Sequence, residues 1–114
     1  MLNMDITLTR GDTYPFKFQR RDIEGNVITE APASIYFTVK RNWKTEDVIF
    51  QKSAADMTLD PDGTWHCVIE PVDTEELKYG TYVYDIEVTT GTYVQTISKG
   101  SLEITKESTW KANK

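Results

Sequence analysis

Few side chains in this 114-residue chain could run a reaction, and their spacing decides what they could do. His66 is the single histidine and Cys67 the single cysteine. They are neighbours in Thr64 to Glu70, where apolar and polar residues alternate as on a strand. Successive strand residues project to opposite faces, so the two cannot form a nucleophile–base pair with each other. One histidine and one cysteine also leave no set of ligands for a His- or Cys-based zinc site, and no disulfide can close within the chain. Asp60-Pro61-Asp62-Gly63, with Asp56 upstream, faintly resembles a calcium loop. Such a loop needs ligands at alternating positions and a distal bidentate glutamate, and Pro61 breaks the spacing, so the segment reads as a hairpin turn. Glycine-rich phosphate cradles are absent. The expectation is a protein that is not an enzyme and takes no metal or cofactor.

Binding is the better prospect. The formal net charge is −5, which would repel a phosphate backbone, so nucleic acid is not an expected partner. The charge is uneven: residues 54–91 carry one lysine and nine acids. A small basic cluster lies at Arg20-Arg21 and Lys40-Arg41-Asn42-Trp43-Lys44. Its second half falls in a loop-like stretch, Arg41 to Asp47, where packing alone does not require a tryptophan. Arg41, Trp43 and Lys44 are therefore candidates for an interaction surface, joined by Trp110 in a polar tail. Exposed Trp43, Tyr36 or Tyr93 could also stack on a sugar, which keeps a carbohydrate-binding module as the alternative.

The elements that position these residues are β-strands. Threonine, isoleucine, valine and the aromatics supply 46 of the 114 residues, against 5 leucines and 5 alanines. These types suit a half-buried pleated surface better than a helix. Period-two alternation predicts strands at Ile6–Leu8, Thr13–Arg21, Ala33–Arg41, Val48–Ser53, Met57–Asp60, Thr64–Glu70, Thr81–Thr89 and Thr92–Ser98. Leu102 and Ile104 close the sheet after Lys99-Gly100. Pro15 has no amide hydrogen, so its strand is expected at a sheet edge. One short crossover helix is predicted over about 73–78, with Asp73 and Glu76 as a capping box and Val72 and Leu77 as a hydrophobic staple.

Short strands with turns every 8–12 residues or so predict a two-layer antiparallel sandwich of seven to eight strands, spanning 1–106, with a loose tail over 107–114. The expected core is Ile6, Leu8, Phe16, Phe18, Ile35, Phe37, Val39, Trp65, Ile69, Tyr82, Ile86 and Ile104, with Val48 and Phe50 on one side of their strand. In immunoglobulin-like domains a short turn before the penultimate strand leads into a tyrosine whose hydroxyl returns to the backbone upstream. Leu77-Lys78-Tyr79-Gly80-Thr81-Tyr82-Val83-Tyr84 has that shape, with Tyr82 as the candidate corner and Tyr84 where antibody domains keep a cysteine. Met1 to Asp5 has neither a basic nor an apolar leader pattern, and no apolar run approaches the roughly 20 residues needed to span a bilayer, so no membrane partner is expected.

The order of these landmarks resembles a family. The start Ile6-Thr7-Leu8-Thr9-Arg10-Gly11-Asp12-Thr13 is followed by the Asp22 to Asn26 turn and Ile35-Tyr36-Phe37-Thr38-Val39-Lys40. Phe50-Gln51-Lys52, Pro71-Val72-Asp73-Thr74, Tyr79 to Ile86 and Lys99-Gly100-Ser101-Leu102-Glu103-Ile104 complete the series. Over about residues 4–106 the chain is similar to small immunoglobulin-like domains encoded by phages and prophages of Gram-positive bacteria, such as the N-terminal domain of the upper baseplate protein of lactococcal phages. The resemblance implies a non-enzymatic virion structural protein of tail, baseplate or head decoration, assembled in the bacterial host cytoplasm. Its implied partners are other virion structural proteins, with further copies of the chain as a second candidate. From the residues themselves, the expected contact points are strand edges, the Arg41 to Asp47 loop and the Trp110 tail.

Overall fold

The computed structural model of the protein describes residues 2–3 and 5–106. The predicted tail, Trp110 included, lies outside the described residues. Strands form where β-branched and aromatic residues alternate with polar ones. They are β1 (Leu2–Asn3), β2 (Ile6–Thr9), β3 (Tyr14–Gln19), β4 (Ser34–Lys40), β5 (Val48–Ser53), β6 (Thr58–Leu59), β7 (Thr64–Ile69), β8 (Gly80–Thr90) and β9 (Tyr93–Thr105). Among the described residues, helix is confined to the 3-10 turn Ala54–Asp56 and to α1 (Pro71–Thr74).

The strands make two sheets. One has the order β1-β9-β8-β4-β5, with β2 also paired to β9, and the other the order β3-β7-β6. Leu2 faces Ser98 and Ile6 faces Leu102 in one continuous register, so β1 and β2 act as a single interrupted edge strand. That strand runs parallel to β9, whereas the other ladders are antiparallel. The parallel seam departs from an all-antiparallel expectation for a plain reason. A parallel pair needs a long connection, and here nearly the whole chain provides it. A β9-β8-β4-β5 sheet facing a β3-β7-β6 sheet, with a short helix before β8, is an immunoglobulin-like sandwich with one strand added beyond the three-stranded front sheet.

The core lies between the layers. Ile6, Leu8, Ile35, Phe37, Val39, Trp65, Ile69, Tyr82, Ile86 and Ile104 are buried as the alternation predicts, and Tyr84, Val88 and Leu102 join them. Phe16 and Phe18 pack against this cluster but stay partly open.

Four local differences have physical causes. First, α1 begins at Pro71 rather than Asp73. Proline pre-sets the dihedral of a first helical residue, and the Asp73 carboxylate accepts from the Glu70 amide at 2.7 Å, serving the third helical position instead of the cap. No staple forms, because Val72 is 70% exposed. Second, a bulge sets Val39 against Phe50 and Lys40 against Val48, so Ile49 and Phe50 both turn toward the core while Val48 faces out. Third, β9 runs unbroken through Lys99-Gly100, and its irregularity lies at Ile97 instead. Beyond that bulge the faces exchange, which leaves Val94 exposed. Fourth, the strand over Thr13–Arg21 is shorter, Tyr14–Gln19, and at its C-terminal end Arg21 bridges instead to Val27 in the turn that follows.

Candidate interaction surfaces

The Arg41 to Asp47 loop is held by its own polar side chains. Asn42 Oδ1 accepts from the Lys44 and Thr45 amides at 2.9 and 3.1 Å, and Thr45 Oγ1 accepts from the Asp47 amide at 3.1 Å. These bonds replace ladder bonds that a loop cannot make. Trp43 is 57% exposed, and its ring has the Lys99 ammonium 5.8 Å from its centre. Lys44 is exposed. Arg41, also exposed, is tied back to β8: it donates to the Thr81 carbonyl and lies 4.9 Å from the centre of the Tyr82 ring. The loop thus presents Trp43 and Lys44 to solvent and uses Arg41 as a clasp. Tyr36 and Tyr93 are exposed as well, but Tyr36 stands on β4 and Tyr93 at the far end of the β8–β9 hairpin.

Tyr82 is a tyrosine corner. Its hydroxyl donates to the Lys78 carbonyl at 2.8 Å, tying the entrance of β8 to the turn before it. Two residues on, Tyr84 takes the place of the antibody cysteine, and the disulfide is replaced by a chain of rings. Phe16 from β3 lies 4.9 Å from Phe37 of β4, and Phe37 lies 5.4 Å from Tyr84 of β8, so aromatic contacts bridge the two sheets.

The residues with chemical potential are occupied otherwise. His66 faces solvent and meets Asp60 across 2.7 Å, while Cys67 points into the core from the opposite side of β7. Burial pushes the Cys67 thiol up to about 11. Asp62 Oδ1 accepts from the Thr64 amide at 2.9 Å and Asp56 Oδ2 from the Ser53 amide at 2.9 Å, so each carboxylate of the acidic turn has a local structural role. Among the described residues, no three His, Cys, Asp or Glu side chains gather as a metal site. Within the same residues no helix is long and apolar enough to cross a membrane.

Two concavities among the described residues bear on binding. One is a shallow dip of about 220 Å³ on the outer face of the larger sheet, lined by residues that include Tyr36, Lys40, Asp85 and Glu87. Desolvation raises the Asp85 carboxyl, and Lys40 and Lys99 oppose that shift. The other is an open groove of about 620 Å³ between β3 and the first half of β9. Ile6, Phe16, Phe18, Ile86 and Ile97 make its apolar part, with Lys17, Arg20 and Arg21 at its mouth. Sequence reasoning assigned Phe16 and Phe18 to a sealed core. The available signal was Pro15, which marks β3 as an edge strand and therefore its neighbours as the rim of an opening.

Fold and surfaces together define a disulfide-free immunoglobulin-like domain whose exposed features are loops, sheet faces and strand edges. No protein-family model matches the chain, and no curated protein does either.

Proposed function

We propose that the chain is a non-enzymatic structural or accessory protein of a phage or prophage particle, working through protein–protein contacts. The observation that carries this reading is the edge of β3, unpaired among the described residues and bordered by an apolar groove, in a domain whose histidine, cysteine and turn carboxylates are tied up in packing and local bonds. Unpaired strand edges offer main-chain donors and acceptors to another chain, and repetition in a symmetric particle multiplies weak single contacts. The ordered landmarks from Ile6 to Ile104 support the phage assignment by resemblance. Other virion structural proteins, with further copies of the chain, are the proposed partners, and the virion is the proposed location.

The test is mass spectrometry of particles purified from an induced lysogen or lysate that encodes the chain. A fixed copy number per particle, surviving density-gradient purification, is the expected result. Its absence from particles, combined with wall-glycan binding lost in Trp43→Ala, would replace this reading with a carbohydrate-binding one.

A further inference from the structure

We propose that the groove between β3 and β9 receives an extended acidic segment of a partner protein, which adds to the free edge of β3 as a new strand and closes the sandwich. The inference deepens the protein-contact reading and rests on it only in taking the ligand to be a polypeptide.

The shape of the groove selects an extended chain. The consecutive residues Phe16 to Arg21 all line it. Side chains alternate along a strand, so a cavity touching every successive residue runs along the strand's edge and meets its main chain. Among the described residues β3 pairs with β7 on one side and with no strand on the other. The facing wall is similar, because β1 meets β9 from Ser98 onward, and among the described residues Tyr93–Ile97 of β9 has no neighbour on that side. A strand laid along β3 would send every second side chain between the sheets, toward Ile6, Phe16, Phe18, Ile86 and Ile97.

Charge selects the kind of strand. The lining holds Lys17, Arg20 and Arg21 and no aspartate or glutamate, in a chain of net charge −5. Arg20 and Arg21 donate to the carbonyls of Glu30 and Gly25, at 2.6 and 2.8 Å, which fixes the guanidinium groups without neutralising them. Glu30 is the carboxylate whose field reaches Arg20, and Arg20 Nε is buried without a hydrogen-bond partner. An incoming strand with carboxylates on its outward face would answer Lys17 and Arg21, which are exposed where Phe16 and Phe18 turn inward. Two copies joined edge to edge through β3 would bring two cationic rims together, so a foreign acidic strand fits better than a second copy.

The experiment titrates the full chain with fluorescein-labelled peptides of about eight residues, near a typical strand length. One peptide alternates valine with glutamate, one alternates valine with lysine, and a third is the glutamate peptide N-methylated at alternate residues. Fluorescence anisotropy at low salt should give binding of the glutamate peptide, at least about tenfold weaker binding of the lysine peptide, and none of the methylated one. Hydrogen exchange should slow over 16–19 in the complex. Arg21→Glu should weaken the glutamate peptide about tenfold, and Lys17→Glu provides the same reading should Arg21→Glu misfold. Failure of the glutamate peptide to bind would overturn the proposal. So would equal binding of the methylated peptide, dodecanoate binding in its place, or protection of 16–19 that grows with protein concentration alone. Peptide binding is measured on isolated protein, so its failure leaves the particle assignment standing, and absence from particles leaves peptide binding standing.

Discussion

At the residue scale, Tyr82 and Cys67 are each defined by their surroundings in the sandwich. Tyr82 holds its corner by one hydrogen bond, to the Lys78 carbonyl. Tyr82→Phe keeps the ring and deletes the donor, so it should cost about 1–2 kcal/mol, read as a lower urea midpoint at unchanged slope. Cys67 is buried on the inner face of β7, and its thiol, pushed up to about 11, is almost wholly protonated near neutrality. Ellman's reagent at pH 8 should therefore label the folded chain only at its rate of opening and label it at once in denaturant. Asp85 shows the same effect in a carboxyl. Its carboxyl is raised by desolvation, more than Lys40 and Lys99 lower it. The fold thus favours the protonated form: that stability is present in acid, below the ordinary aspartate value, and is lost as pH rises through the raised one. Asp85→Asn should raise the thermal midpoint at pH 7 and leave it unchanged near pH 3, a pattern that a scanning calorimeter would resolve.

Turns and short elements carry information that single residues do not. Gly63 has φ +91°, and a Cβ there would lie 2.5 Å from Val27 Cγ1 and 3.0 Å from the Ile28 carbonyl oxygen. Gly63→Ala should therefore cost about 2–4 kcal/mol by combining left-handed strain with a clash against the 22–28 turn, measurable by denaturant titration. The strain was legible in Pro61-Asp62-Gly63, because turn chemistry is local. The clash was not, since it depends on a segment more than 30 residues earlier folding against the same hairpin. The same division explains the other elements. Alternation located Ile35, Phe37 and Val39 because their strand has one buried face, and Gly91, at φ +60°, marked the β8–β9 turn. It misplaced Val48, put on one side with Phe50, because a bulge lies beside it and an extra residue reverses facing without leaving a sequence trace. The helix start moved because Asp73 is drawn into two contacts at once, the Glu70 amide and the Lys52 ammonium at 2.6 Å, and the second comes from β5.

Over the whole molecule, one edge of the sandwich is sealed by the pairing of β2 with the second half of β9. Ile6 and Leu8 sit on an edge strand yet are only 2% and 4% exposed, because β2 lies against Leu102 to Thr105 of β9 and caps the core there. The paired residues are about 96 apart in sequence, so this seam can form only after the intervening chain has been ordered or at the full entropic cost of closing so long a loop. The β8–β9 hairpin and the β4–β8 ladder need no such closure to begin, and topologies rich in distant pairings fold slowly, in milliseconds to seconds. The seam should therefore be absent from the folding transition state. Leu8→Ala removes buried side-chain volume from that seam and should cost about 2–4 kcal/mol, which corresponds to roughly 30- to 1,000-fold in the equilibrium constant. With the seam formed last, nearly all of that factor should appear as faster unfolding, and the folding rate should change by no more than about twofold. Stopped-flow folding and unfolding in urea separates the two limbs. A folding limb that slows by most of the equilibrium factor would mean that the chain ends meet early and that β2 and β9, rather than the central hairpin, organise the sandwich.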